Sequence, residues 1–118
     1  MNYKQKVGQF GEMLAKKYLE RQGYEIIEMN LKVSYKELDI IAAKGDFLIF
    51  VEVKTRTTSE FSGEEATGYY KKKSLKYAII KYLNDNDLWE KEVRADLIVV
   101  DINKIKKTAK IKHYKDIL

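Results

Sequence analysis

Two apolar segments of strand length, each interrupted by a carboxylate, restrict the fold of this chain more than any other feature. They are residues 37–42 and 47–54, and a short segment with one glycine, residues 43–46, separates them. Apolar runs of this length around a four-residue turn predict an antiparallel hairpin. Asp39 and Glu52 lie inside the runs, where a carboxylate is unfavourable unless it is paired, hydrogen-bonded or bound to a cation.

The rest of the chain indicates a mixed α/β order. The predicted elements are a helix at residues 4–22, strands at 24–29, 37–42 and 47–54, a helix from about 65 to 83, and strands at 94–101 and 111–114. A helical crossover after the third strand makes the strand at 94–101 run parallel to the strand at 47–54. We therefore expect a three-layer α/β protein of order α-β-β-β-α-β-β, with a mixed central sheet, as one domain over residues 1–118.

Both predicted helices carry one apolar face. In the first helix the face consists of Val7, Phe10, Gly11, Leu14, Ala15 and Tyr18, and in the second of Leu75, Ala78, Ile79, Tyr82 and Leu83. Gly8 and Gly11 would let the first helix approach the sheet closely, and Gly23 is a typical residue just after a helix end. A polar loop is expected from Thr55 onwards, between the third strand and the second helix.

Composition excludes several kinds of chemistry. The chain has no cysteine and a single histidine, His113, which excludes disulfides, thiolate zinc sites, cysteine nucleophiles and multi-histidine metal sites. The apolar runs are too short to span a membrane, and the first residues contain no apolar signal segment, so a cytoplasmic location is expected. The net charge of +5 fits a polyanionic partner and a lysine-rich solvated surface equally well.

The carboxylates and a lysine in the hairpin predict a site. Strand alternation places Glu52 and Lys54 on one face. A symmetric four-residue turn places Asp39 opposite Phe50 and Glu37 opposite Glu52, so Asp39 and Glu52 become diagonal neighbours with Cα atoms roughly 6–8 Å apart. One ion could bridge two carboxylates at this separation. Oxygen ligands without cysteine or histidine favour Mg²⁺ or Mn²⁺.

This set of groups suits phosphodiester hydrolysis. A divalent ion would activate water and neutralise developing charge, and the Lys54 ammonium would position or deprotonate a water or balance phosphate charge. The alternative is structural: Glu52–Lys54 and Asp39–Lys36 as ordinary ion pairs near strand ends.

Several motifs together resemble a known family. They are GQFGE at residues 8–12, Gly23-Tyr24, Asn30, ELDII at 37–41, FVEVKTR at 50–56, Lys71, Ala78, Tyr82-Leu83 and Asp96. In order and spacing they resemble the YraN family of uncharacterised bacterial proteins, from about residue 5 to residue 101. That family looks like a member of the PD-(D/E)XK restriction-endonuclease-like superfamily, close to archaeal Holliday-junction resolvases. The resemblance implies the restriction-endonuclease-like fold and a Mg²⁺- or Mn²⁺-dependent endonuclease acting on DNA, branched or structured DNA included.

The resemblance also implies roles for individual residues. Asp39, Glu52 and Lys54 would form the catalytic core, and Glu12 would be a helix-borne acidic residue that joins Asp39 and Glu52 at the metal. By helical spacing alone, Glu12 lies at the boundary of the apolar face, where a solvated glutamate is the usual finding. Lys36 stands where the family usually has glycine.

Three basic residues are predicted to contact nucleic acid. Arg56 follows the site strand, and Lys71 and Lys72 lie near the start of the second helix, where phosphate binds favourably. Lys71 matches the family's lysine. Arg94 and Asp96 are expected to form a structural pair.

Three functions remain open from the sequence. They are an endonuclease, a nucleic-acid-binding accessory protein that keeps the nuclease fold without turnover, and a small protein-interaction domain. Nucleases that cut both strands often act as dimers, so a homodimer is one expected state, although no sequence feature marks an interface.

Overall fold

The computed structural model describes residues 2–57 and 69–118, with side chains described outside positions 69–71. The elements are α1 (Tyr3–Arg21), β1 (Glu25–Val33), β2 (Lys36–Lys44), β3 (Phe47–Thr57), α2 (Tyr69–Asp85), β4 (Glu92–Asn103) and β5 (Thr108–Tyr114). The predicted order α-β-β-β-α-β-β is confirmed.

The five strands form one mixed sheet in the order β1-β2-β3-β4-β5. β3 and β4 run parallel, as the crossover predicts, and the other neighbouring strands are antiparallel. α1 packs on one face through a cluster that contains Ile40, Ile49 and Ile98, and α2 packs on the other through a cluster with Ile41 and Phe50. This three-layer arrangement is the predicted restriction-endonuclease-like fold. No helix in residues 2–57 and 69–118 is both long and apolar enough to cross a membrane.

α1 begins and ends at local signals in the sequence. The Asn2 side chain accepts a hydrogen bond from the Gln5 backbone N at 2.8 Å, and the Gln5 side chain accepts one from the Asn2 backbone N at 3.2 Å. This reciprocal capping box satisfies two N–H groups at the helix start. Gly23 has a φ of +90° just after the C-cap residue Gln22, which confirms its predicted role in ending the helix.

The buried face of α1 differs from the predicted face. Its buried residues are Gly11, Ala15 and Leu19, whereas Phe10 is 53% exposed. A Cβ added to Gly11 would lie 1.8 Å from Thr55 Oγ1, but one added to Gly8 would have no atom within 4 Å. Among residues 2–57 and 69–118, close approach to the sheet depends on Gly11 and not on Gly8, for which the prediction is wrong. The contact at Gly11 rotates the helix so that Phe10 faces outward.

The register of the β2–β3 hairpin also differs from the prediction. Lys44 pairs with Phe47, and Ile40 pairs with Val51. The turn therefore has two residues, Gly45 and Asp46, with Gly45 at a φ of +59°, rather than the predicted four. Glycine adopts this left-handed conformation without strain, which permits the tighter turn. The error shifts the register by two residues, so the paired side chains from Ile40 to Lys44 keep their faces of the sheet.

All five strands are longer than predicted, and the extensions of β1 and β3 bear on the site. β1 continues past Asn30 to Val33, because its pairing with β2 resumes at Leu31. Asn30 itself has a positive φ of +53°, a conformation that asparagine tolerates. β3 continues to Thr57, so the start of the expected polar loop is strand, held by pairing with β4 as far as Ile102. The rest of that loop and the predicted start of the second helix near residue 65 lie outside the described residues.

Candidate active site

β2 and β3 separate at Asp39. Their pairing begins at the turn and stops at Ile40–Val51. Asp39 comes next, and its Oδ2 accepts a hydrogen bond from the Val53 backbone N at 2.8 Å. The carboxylate thus takes the place of a backbone acceptor and leaves an opening between the two strands.

A change of facing along β2 accompanies this separation. Leu38 packs in the α2-side cluster and Ile40 in the α1-side cluster, although residues two apart share a face in a regular strand. Asn30, with its positive φ, lies between the residues of β1 that pair with Leu38 and Ile40. The local twist directs Asp39 toward the opening rather than into either core.

Several carboxylates converge at this opening. Glu12, Glu37 and Asp39 each offer an oxygen, and these oxygens lie within 4.8 Å of one another. Asn30 Nδ2 donates to Glu12 Oε1 at 2.8 Å and to Glu37 Oε1 at 3.2 Å. Glu52 joins them as the neighbour of Asp39, close enough to raise the Asp39 pKa. These four carboxylates, Glu12, Glu37, Asp39 and Glu52, are called the acidic cluster below.

The acidic cluster changes the protonation of Asp39. Burial, the neighbouring Glu52 charge and the hydrogen bond with Glu52 raise the Asp39 pKa to about 8, with a smaller contribution from Glu12 and against the opposing Val53 N–H bond. Desolvation and like charges both disfavour the ionised form of a carboxyl group. The metal-free cluster therefore holds a proton at neutral pH, and a divalent cation would relieve the same repulsion.

Glu52 is the buried member of the acidic cluster. It is 9% exposed and forms an ion pair with Lys36 Nζ through Oε1. Among residues 2–57 and 69–118, that oxygen receives no hydrogen bond of ordinary geometry, so the ammonium contact is its only compensation there. The sequence suggested the ion pairs Glu52–Lys54 and Asp39–Lys36, but the structure pairs Glu52 with Lys36. Lys36 is therefore a site residue that the sequence did not predict.

Lys54 lies where the alternation of β3 predicts. The pairing of β3 with β4 is continuous through Glu52 and Lys54, so the two side chains share a face. Lys54 is half-buried and lines a cleft, together with Glu12 and Thr55, between the start of α1 and the end of β3. In the part of the chain that the structure describes, Lys54 forms no ion pair and remains available to a phosphate or water.

Glu12 is brought to the site by the residue before it. Gly11 lies directly against Thr55 of β3, and the absence of a side chain there lets α1 sit low on the sheet. Glu12 is consequently half-buried and reaches Asn30 and the other carboxylates. Spacing alone favoured a solvated glutamate, but the structure places Glu12 in the acidic cluster, while its role as a metal ligand stays a prediction.

The predicted nucleic-acid contacts are not part of the acidic cluster. Arg56 pairs with Asp101, with Nη2 at 2.9 Å from Oδ2 and Nε in contact with Oδ1. This hydrogen bonding lowers the pKa of Asp101. Lys72 is exposed at the start of α2, and the side chain of Lys71 lies outside the described residues. Their roles at a phosphate backbone stay predictions.

The predicted Arg94–Asp96 pair is confirmed as the centre of a separate buried network. Arg94 contacts both Asp96 oxygens, at 2.8 and 2.9 Å, and His113 Nε2 and the Asp116 backbone N lie 2.7 and 3.0 Å from them. Burial disfavours the Asp96 charge, but the bonds from His113, Arg94 and Asp116 outweigh it and lower the pKa to about 2. The network fastens β5 and the C-terminal segment to β4.

Sequence reasoning missed two further members of the site, Glu37 and Asn30. Both belong to the motifs that carry the family resemblance. Glu37 and Asp39 also occupy alternate positions of one strand, a spacing visible in the sequence. The sequence predicts a strand that ends before Asn30. Continuing that strand would have placed it opposite Asp39.

The element order and the five-stranded mixed sheet are those of a restriction-endonuclease-like α/β protein, and the acidic cluster lies where β2 and β3 separate. The chain belongs to the uncharacterised protein family UPF0102, which matches residues 11–100.

Relatives of similar length carry the same family description. A UPF0102 protein of Alkaliphilus oremlandii is 36% identical over 112 residues, which cover 94% of this chain and 96% of the relative. One of Dictyoglomus turgidum is 40% identical over 101 residues, 85% of each chain. One of Flavobacterium psychrophilum is 40% identical over 111 residues, 93% of this chain and 91% of the relative.

Proposed function

We propose that the protein is a divalent-metal-dependent endonuclease that hydrolyses phosphodiester bonds in DNA, with branched or structured DNA as its substrate. One observation carries the proposal: Asp39 lies beside a second carboxylate, the buried Glu52, at an opening in the sheet, and the pKa of Asp39 is raised to about 8. Proteins avoid such repulsion unless a cation or a reaction uses it.

The donor atoms of the acidic cluster fit a hard divalent cation. Asp39 and Glu52 would hold the ion and Glu12 would complete the site, with Glu37 within reach. Oxygen ligands of this kind suit Mg²⁺ or Mn²⁺ rather than zinc. When bound, the ion would supply an activated water and neutralise charge on the phosphate.

Two lysines have separate tasks in this proposal. Lys54, on the face of Glu52 and without an ion pair among the described residues, hydrogen-bonds the attacking water or the scissile phosphate. Lys36 compensates the charge of Glu52 without a metal and would be released if Glu52 bound a divalent ion. An ammonium group beside a phosphate stabilises negative charge that develops during the reaction.

A second function is favoured by the Lys36–Glu52 pair. That pair compensates the buried Glu52 charge without any metal, as expected of a nucleic-acid-binding protein that keeps the fold without turnover. The net charge of +5 supports DNA binding in both cases. Metal-dependent cleavage distinguishes the two functions.

The test is a cleavage assay with Mn²⁺ on linear, nicked, flapped and four-way-junction DNA. We expect cleavage by the wild type and its loss in Glu52→Gln and Lys54→Ala, with DNA binding retained. Asp46→Asn is the matched carboxylate control, because Asp46 lies in the exposed β2–β3 turn, at the opposite end of β3 from the site. This variant should cleave normally. DNA binding without cleavage of any form would establish the non-catalytic function instead.

A further inference from the structure

We propose that two hairpin turns beside the active site act as a pair of apolar wedges that engage unpaired or unstacked bases at a DNA branch point. The wedges are Tyr35, in the β1–β2 turn, and Ile105, in the β4–β5 turn. This inference rests on the proposed nuclease function and specifies how that site would recognise its substrate.

Ile105 is an apolar side chain displayed on a structured turn. It is 91% exposed, although hydrogen bonds stabilise the turn around it. Asn103 Oδ1 accepts hydrogen bonds from the backbone N of Ile105 at 3.1 Å and of Lys106 at 3.0 Å, and Asn103 pairs with Thr108 across the turn. A preformed turn loses little conformational entropy when its apolar tip meets a ligand.

Tyr35 is displayed in a similar way. Its side chain is fully exposed, at 101% of the reference area. Val33 pairs with Lys36, so the turn consists of Ser34 and Tyr35 alone, with Ser34 at a φ of +59°. A solvent-exposed aromatic ring on so tight a turn provides a platform on which a base can stack.

Both turns lie at the end of the sheet that carries the active site. Lys36, at the start of β2, is paired with Glu52 of β3, and Ile102, near the end of β4, lies opposite Thr57. Both turns therefore project from the end of the sheet that holds the carboxyl end of β3. Three strand spacings separate the hairpins, which corresponds to about 14 Å. Lys104 Nζ also lies 4.1 Å from the centre of the Tyr3 ring, which ties the β4–β5 turn to the start of α1 beside the cleft.

The charge around the wedges identifies DNA as the occupant. Lys106 and Lys107 follow Ile105, and Lys32 precedes the Tyr35 turn; all three are exposed. Lysines contact the phosphate backbone, while an inserted apolar side chain unstacks a base step. Exposed bases beside duplex phosphates occur together at forks, flaps and junctions, so the combination selects branched rather than continuous duplex DNA.

The test measures binding without metal, so that cleavage does not intervene. Forked DNA with 2-aminopurine at the branch is compared with a continuous duplex of the same sequence, in EDTA. Tyr35→Ala and Ile105→Ala are compared with the wild type. Trp89→Ala and Ile27→Ala are matched controls, because these exposed residues lie outside the site end of the sheet.

The wild type should bind the fork more tightly than the duplex and raise the 2-aminopurine fluorescence. Each wedge variant should lose fork affinity by roughly fivefold or more, with duplex affinity and both controls unchanged. Fork preference that is unchanged in both wedge variants, or absence of DNA binding by the wild type, would overturn the inference. Wedge-dependent fork binding without Mn²⁺-dependent cleavage would overturn the nuclease proposal and leave the wedges in place.

Discussion

Replacing each of two glycines of α1 by alanine should have opposite effects on stability. Gly8 and Gly11 both lie inside the helix Tyr3–Arg21, so alanine gains about 1 kcal/mol of helix propensity at either position. At Gly8 the added Cβ has no atom within 4 Å, and Gly8→Ala should therefore raise the free energy of unfolding by about 0.5–1 kcal/mol.

At Gly11 a steric clash opposes the same gain. The added Cβ would lie 1.8 Å from Thr55 Oγ1 and 2.8 Å from both Cβ and Cγ2 of Thr55. Rotating the Thr55 side chain does not help, because a β-branched residue keeps two heavy atoms near the contact. The helix must move away from β3, which costs about 1–3 kcal/mol by analogy with overpacked cores. Because helix propensity cancels, the two variants should differ by this amount.

Urea denaturation followed by far-UV circular dichroism measures the difference directly. Gly11→Ala should also weaken Mn²⁺ binding, because Glu12 moves with the helix. Thr55→Ala removes the closest contact and should restore part of the stability of Gly11→Ala in a double-mutant cycle. Equal stabilisation by both alanines, or no coupling with Thr55, would refute the claim that Gly11 sets the position of Glu12.

Three further predictions concern charged groups. Asp96 has a folded pKa of about 2, below its unfolded value, so its stabilising contribution is present above about pH 4 and is lost as pH falls toward 2. Asp96→Asn should therefore lower the free energy of unfolding by about 3 kcal/mol at pH 7 and by less near pH 3, as measured by denaturation at a series of pH values. Asp39 has a raised pKa of about 8, so its carboxylate increasingly destabilises the metal-free fold as pH rises from 4 to 8. In EDTA, the melting temperature of Asp39→Asn should exceed that of the wild type most at pH 8–9. A difference in melting temperature that does not change with pH would contradict this. Lys36→Gln removes the ammonium that competes for Glu52 and should tighten Mn²⁺ binding in calorimetry; weaker binding would show that Lys36 supports the metal site.

The order of the elements could be predicted because its signals are local. The alternation in residues 47–54, the glycine at 23 and the length of the crossover each depend on a few neighbouring residues. The hairpin register could not, because a two-residue and a four-residue turn around Gly45 give the same facing for every side chain. The facing of Glu52 was therefore predictable, whereas that of Asp39 was not, because β2 changes facing between Leu38 and Ile40.

The composition of the site was only partly predictable, because it depends on contacts between distant elements. Phe10 has the helical spacing of a core residue, but the fit of Gly11 against Thr55 turns it outward. Asn30 is a common turn residue, and its positive φ within a strand is visible only once β1 pairs with β2. The Lys36–Glu52 pair likewise joins two strands, and the sequence of charges alone does not determine which carboxylate pairs with a given lysine.

The claim that the acidic cluster is a divalent-cation site is tested most directly by Mn²⁺ titration calorimetry at pH 7.5. The wild type should bind Mn²⁺ with release of a proton, because Asp39 is largely protonated below about pH 8 in the metal-free protein. Glu52→Gln and Asp39→Asn should each weaken binding by at least about tenfold, a range typical for loss of a ligand or its hydrogen-bonded partner, while the exposed control Asp46→Asn should bind as the wild type does. Mn²⁺ binding that is absent, or equally strong in Glu52→Gln and Asp39→Asn, would contradict the account.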